Sequence, residues 1–313
     1  MSIAFLFPGQ GSQAVGMGRE LAEAFSSARE VFEEVDEALG QNLSSLMRDG
    51  PDDQLTLTEN AQPALMAVSL AVVRTLEREF GVAMDRARWV AGHSLGEYSA
   101  LAAVKALSLA DCARLLRRRG EAMQRAVPVG EGAMASLIGP KADVALAEEA
   151  ARVGSEIGVC VLANDNNQGN VVISGARAAV DRAIEAAKAL GARAILLNVS
   201  APFHCPLMQP AADEMAEALA VAQIAEPIVP LLANVTARPV VDPDQIRELL
   251  VTQVTARVRW RESMLWLSEQ GVTRFAELGA GKVLTGMARR IAPEAEAVAL
   301  NGPADFEAFA ASL

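Results

Sequence analysis

Residues 92–96, Gly92-His93-Ser94-Leu95-Gly96, constrain the local fold more tightly than any other stretch of the chain. They match the G-x-S-x-G pattern of a sharp strand-to-helix elbow, in which glycines relieve the crowding that a Cβ would cause. The flanks agree with that geometry. Trp89-Val90-Ala91 is apolar and strand-like, and residues 97–106 are alanine-rich and helix-like. A lone G-x-S-x-G can be an ordinary small-residue turn; the order strand, elbow, helix argues for an exposed serine. A serine hydroxyl is a weak nucleophile until a base takes its proton. The chain has only two histidines. His93 adjoins Ser94 and is expected to project away from it, which leaves His204, in Pro202-Phe203-His204-Cys205-Pro206, as the available imidazole.

At 313 residues, 51% of them hydrophobic, the chain can bury a sizeable core as one large domain or one large and one small. Alanine-rich helices between short valine and isoleucine runs favour an α/β architecture. The net charge of −11 argues against nucleic acid as a partner. It also requires any acidic protein partner to dock on a local basic patch. Cys112, Cys160 and Cys205 are odd in number and widely spaced, so neither a disulfide framework nor a zinc site is expected, and a reducing cytoplasm is the expected compartment. The N-terminal residues run straight into a strand without the pattern of a signal peptide, and no uncharged apolar stretch reaches the length of a membrane span. No membrane association is expected.

Ile3 to Phe7 forms a short strand ending in the glycine-rich turn Pro8-Gly9-Gln10-Gly11-Ser12-Gln13, which opens a helix near Met17. Backbone N–H groups at such an entrance can serve an oxyanion. Gln62-Pro63 is expected to start a long apolar helix reaching about Phe80, with proline in its first turn. From Gly132 the pattern becomes β-α-β-β-α-β, with strands at 134–138, 159–162, 171–174 and 194–199 and helices at 142–151 and 176–190. A polar Asn-, Asp- and Gly-rich turn is expected between the middle strands. That order is ferredoxin-like. The expected division is a large α/β unit of 1–130 and 200–313, with a mostly parallel sheet, and an inserted small unit of 131–199. A cleft between them would lie beside Ser94, with His204 where the chain returns.

The helix from Leu109 to about Val127 carries a dense run of arginines. On a wheel of about 100° per residue, Arg114, Arg117, Arg118 and Arg125 share a polar face. Arg119 falls instead among Cys112, Leu115, Leu116, Met123 and Ala126. A guanidinium keeps its proton, so an inward arginine needs an anionic partner. The structural reading is a core carboxylate or a side chain that snorkels to the surface; the functional one is a substrate anion. Arg114, Arg117 and Arg118 form the densest basic cluster and are candidates for docking a partner, or simply a solvated face.

A conventional triad needs an acid to hold the imidazole. Asp213 and Glu214 are poorly placed on a helix that leaves the site, and nothing in the spacing selects Asp242, Asp244 or Glu277. A serine–histidine dyad, its ring held by a backbone carbonyl, fits at least as well. Such weaker activation beside a cationic pocket suits transfer of a charged acyl group to a thiol.

These residues together resemble the malonyl-CoA:acyl carrier protein transacylases. Residues 7–13, Phe-Pro-Gly-Gln-Gly-Ser-Gln, are similar to the family's N-terminal motif, and residues 92–99, Gly-His-Ser-Leu-Gly-Glu-Tyr-Ser, to its elbow. Arg119-Gly120 falls at its malonate-binding arginine, and residues 203–208 at its histidine motif. Glu277-Leu278-Gly279 and residues 281–284 resemble its C-terminal block. The resemblance covers essentially the whole chain and implies a hydrolase-like α/β core with a ferredoxin-like insert. It implies Ser94 as nucleophile, His204 as base, the N–H groups of Gln10 and Leu95 as oxyanion hole, and Gln253 as the residue whose carbonyl holds His204. Arg119 would bind the malonyl carboxylate, with Gln62 lining the same pocket. Leu95 and Phe203 follow the pattern of related domains that select malonyl over methylmalonyl. The implied reaction moves malonyl from malonyl-CoA to the phosphopantetheine thiol of acyl carrier protein, in fatty acid synthesis, with no metal or redox cofactor and a monomeric enzyme.

Two other classes share some of these features. A serine thioesterase or esterase shares the elbow, but a neutral acyl group has no use for an inward Arg119. A non-catalytic carrier-docking module would not need both Ser94 and His204. A carrier from polyketide synthesis remains an alternative acceptor.

Overall fold

Four strands are buried along their whole length: β1 (Ile3–Phe7), β2 (Trp89–Gly92), β7 (Leu231–Ala233) and β9 (Arg274–Leu278). Strands buried on both faces in this way belong in the middle of a parallel sheet. The computed structural model, which describes residues 2–313, places them there. The first stretch continues through α1 (Arg19–Ala24), α2 (Ser26–Leu39), α3 (Leu43–Asp49), α4 (Asp52–Thr56) and α5 (Thr58–Glu79) to β2, and then α6 (Gly96–Ala103) and α7 (Leu109–Ala126). A second stretch follows: β3 (Gly132–Ile138), α8 (Val144–Gly154), β4 (Cys160–Asn167), β5 (Asn170–Ala176), α9 (Arg177–Ala189) and β6 (Arg193–Leu196). The chain then forms α10 (Gln209–Val221), β7 (Leu231–Ala233), β8 (Arg238–Val240), α11 (Pro243–Gln253) and α12 (Trp260–Glu269). After β9 come α13 (Val283–Ile291), β10 (Glu296–Leu300) and α14 (Pro303–Ala311).

The main sheet has the order β10-β9-β1-β2-β7-β8 and is parallel except for β8. The second sheet, β4-β5-β3-β6, is antiparallel throughout. With α8 and α9 on one face it has the ferredoxin-like order and its own alanine-rich core. Its other face contributes Met134, Val172, Asn164 and Asn166 to a cavity shared with the main sheet. The two sheets touch through β4. Val258 forms a parallel bridge with Asn164, and the buried carboxylate of Asp165 pairs with Arg261 at 2.9 Å.

Two elements differ from expectation. Helix α5 opens at Thr58, because the Leu57 carbonyl already accepts from Asn60 and Ala61 at 2.9 and 2.8 Å. Pro63 therefore sits in the second turn, where its missing N–H leaves the Glu59 carbonyl without its helical donor. Strand β4 runs on to Asn167, through residues expected to form a turn. Two buried polar residues of that segment find side-chain partners: Asp165 at Arg261, and Asn166 at the His93 ring, 2.9 Å away. The turn shrinks to Gln168-Gly169.

Candidate active site

Ser94 sits where β2 passes into α6, with φ of 54°. The elbow is so tight that a Cβ on Gly92 would lie 1.9 Å from the Gly96 carbonyl carbon, and one on Gly96 would lie 2.2 Å from the Phe7 carbonyl oxygen. No side chain fits at either position. The neighbouring strand secures the turn: Asn234, just beyond β7, accepts the Ser94 N–H at 2.8 Å and donates to the Gly92 carbonyl at 2.7 Å. Ligand sites in parallel sheets lie at the carboxyl ends of the strands, and this one follows that rule.

His204 is buried, in a left-handed backbone conformation with φ of 58°. Its Nε2 lies 2.8 Å from Ser94 Oγ, and its Nδ1 lies 2.9 Å from the Gln253 carbonyl oxygen. A carbonyl can only accept, so Nδ1 carries the proton and Nε2 presents its lone pair to the serine. Gln253 is the last residue of α11, and helix ends leave carbonyls without intrahelical donors. The imidazole takes up one of them, at the negative end of the helix dipole. Burial, reinforced by the nearby Arg119 charge, pushes the His204 pKa down to about 3. The ring is therefore neutral at ordinary pH.

The acids that spacing left open are engaged elsewhere. Glu277 accepts the Leu284 and Thr285 N–H groups at the start of α13, and Asp242 caps α11. Asp213 accepts from Gln209, and Glu214 pairs with Arg118 and Arg125.

Arg119 is 1% exposed. Its acceptors are neutral: Gln62 Oε1 at 2.7 Å, Gln253 Oε1 at 2.8 Å and Ser94 Oγ at 3.2 Å. Its Nε is buried with no acceptor among the described residues. Of the two readings of this residue, pairing with a core carboxylate is not what the structure shows. Gln62 is held in turn by Thr58 Oγ1 at 3.0 Å, which itself donates to Gln10 Oε1 at 3.0 Å. The backbone N–H groups of Gln10 and Leu95 have no acceptor among the described residues. Ser94, His204, Arg119, Gln62, Gln10, Leu95 and Phe203 all line one cavity of about 350 Å³; Gln253 stands behind it.

The outward arginines differ from a free basic cluster. Arg117 is half-buried and donates to Asn60 and Gln41. Arg118 pairs with Glu214 and Glu217, Arg114 with Asp111, and Arg125 with Glu121 and Glu214. Three arginines thus face four carboxylates, and the fourth, Arg117, is held by two amides.

Sequence reasoning does not single out Thr58, Glu97, Asn166 or Asn234. Asn234 carried one usable signal, a polar residue directly after a short apolar strand. His93 turns from the serine to Asn166, with its ring 5.4 Å from that of Trp260.

Known proteins resemble this chain along essentially its whole length. Residues 4–300 match the family model described as acyl transferase domain. The malonyl CoA-acyl carrier protein transacylase of Bacillus subtilis strain 168 is 46% identical over 306 residues, 97% of this chain and 95% of its own length. The crystal structure of the acyl-carrier-protein S-malonyltransferase from Bartonella henselae superposes with a TM-score of 0.97 at 54% identity, covering 100% of this chain and 99% of that one. A malonyl-transacylase in complex with its type II PKS acyl-carrier protein matches at 39% identity and a TM-score of 0.96, covering 100% of both chains. Matched over residues 4–300 and 46% identical to a relative nearly end to end, the chain belongs to the acyl transferase family, among the malonyl CoA-acyl carrier protein transacylases.

Proposed function

We propose that this enzyme transfers the malonyl group of malonyl-CoA to the phosphopantetheine thiol of an acyl carrier protein through a malonyl ester on Ser94. The observation that carries the reading is the buried Arg119 guanidinium, 3.2 Å from Ser94 Oγ and bonded only to neutral groups. An acyl chain ending in a carboxylate would supply the missing anion while its thioester carbon meets the serine. Such charge-assisted, bidentate contacts fix orientation as well as affinity.

In the first half-reaction Ser94 Oγ attacks the thioester carbon and its proton passes to His204 Nε2. The Gln10 and Leu95 N–H groups receive the developing oxyanion. The C–S bond breaks and the CoA sulfur leaves with the proton from His204. In the second half-reaction the carrier's thiol gives its proton to His204 and its sulfur attacks the Ser94 ester carbon. The serine oxygen departs with that proton. The chemistry calls for no metal or redox cofactor. In the same reading the large unit, 1–130 and 200–313, supplies the nucleophile, and the small unit, 131–199, walls the cavity.

Intact-mass measurement of the protein mixed with a panel of acyl-CoAs tests this. A malonyl adduct that is lost on Ser94→Ala and discharged by a carrier protein is expected. Rapid release of free malonate without carrier would mark a thioesterase instead. The match to a transacylase bound to a type II PKS carrier keeps a polyketide acceptor open; comparing discharge by fatty acid and polyketide carriers separates the two.

A further inference from the structure

Gln253 touches three working groups of the site: His204, Arg119 and Ser94. Its carbonyl oxygen holds His204, its Oε1 accepts from Arg119 at 2.8 Å, and its Nε2 donates to the Ser94 carbonyl at 2.9 Å. A primary amide has a donor end and an acceptor end of nearly equal shape, so something must decide which end faces the arginine. Glu97 is placed to do so. It lies in the first turn of α6, 2% exposed, and one carboxylate oxygen accepts a close hydrogen bond from Gln253 Nε2. The other accepts the Asn234 backbone N–H at 2.6 Å, on the residue whose side chain secures the Ser94 elbow.

We infer that Glu97 is a positioning residue: it fixes the orientation of the Gln253 amide and thereby keeps Arg119 aimed at the carboxylate of an acidic acyl group. The Ser94 carbonyl and the Glu97 carboxylate are both acceptors, so together they hold the NH₂ end toward themselves and turn Oε1 to the guanidinium. Burial drives this carboxyl toward its neutral form and raises its pKa to about 8, against the pull of two N–H donors and the Arg119 charge. Each of its oxygens meets an N–H donor, from the Asn234 backbone and from Gln253 Nε2. Through one amide, then, a buried carboxyl orients the cation that receives the substrate's anion, without pairing with it and neutralising it.

The inference rests on the malonyl-transfer reading, and the experiment separates the two. Glu97→Gln keeps the shape but has one acceptor oxygen for two donors, so an N–H must face an N–H. Acylation would be followed with malonyl-CoA and acetyl-CoA by intact mass, with thermal melting to verify folding. We expect kcat/KM for malonyl-CoA to fall about tenfold or more, chiefly through KM, with at most about a threefold loss for acetyl-CoA. In an Arg119→Ala background the same substitution should change malonyl transfer by less than about threefold, since its target is gone. Equal losses for both donors, or an undiminished effect without Arg119, would reduce Glu97 to a brace of the elbow and overturn the inference. If the Gln variant does not fold, Glu97→Asp decides: its carboxylate is one methylene too short to reach both donors, and an unchanged donor preference would also overturn it. Failure of the unmodified enzyme to take malonyl at all would instead strike the functional reading.

Discussion

Deleting the His204 ring leaves Ser94 Oγ without the lone pair that lies 2.8 Å away. Acylation of His204→Ala is expected to slow by about 10²–10⁴-fold, the span of a lost general base, read by the rate of adduct formation; a normal rate would remove His204 from the mechanism. The base works only when neutral. Its ordinary pKa of 6.5 is lowered to about 3, first by burial and then by the Arg119 charge. The acylation rate should therefore stay level from about pH 7 to about pH 5, with no acid limb near the usual histidine value. A limb centred near 6.5 would show that water reaches the ring. Arg119→Ala should raise that limb and cost far more with malonyl-CoA than with acetyl-CoA, while Arg119→Lys should restore only part of the loss, because an ammonium lacks the planar fork. Equal losses for both donors would make Arg119 a structural residue.

The elements that carry the site tolerate substitution very unevenly. Gly92 at the end of β2 has the Gly96 backbone in the space of its would-be Cβ. Gly92→Ala should destabilise the protein by on the order of 3 kcal/mol or more and dislodge the serine, seen as a lower Tm and lost acylation. Gly286, exposed on α13 with open space around it, should behave in the opposite way. Gly286→Ala should raise stability by about 0.5–1 kcal/mol and leave acylation intact. The contrast matches what was legible in the sequence. The elbow, the helix that turns Arg119 inward and the β-α-β-β-α-β order declare themselves through periodicity and glycine spacing, which are local. The start of α5 and the length of β4 did not, because Thr58, Asn60, Asp165 and Asn166 are polar residues buried against partners far along the chain. Polarity suggested turns; Arg261 and His93 made them interior. The same applies to Asn234 and Glu97, whose roles depend on which strands become neighbours.

On the scale of the whole molecule, a net charge of −11 restricts where a carrier protein of like charge could dock. The arginine cluster on α7 does not offer that partner an open cationic surface, since Arg114, Arg118 and Arg125 are matched by Asp111, Glu121, Glu214 and Glu217, and Arg117 is drawn inward. Arg118→Glu should therefore change the carrier's KM by less than about threefold, exposed pairs of this kind being individually weak. A tenfold rise would return the docking face to this helix. The distances along the chain between the groups of the site have a consequence in time. His204 follows Ser94 by 110 residues and Gln253 follows it by 159. At about 5–20 residues per second of synthesis, the elbow leaves the ribosome on the order of ten seconds before the residue that orients its base. Throughout that interval the nascent serine is an ordinary alcohol, unable to consume acyl-CoA before the chain can pass the acyl group on.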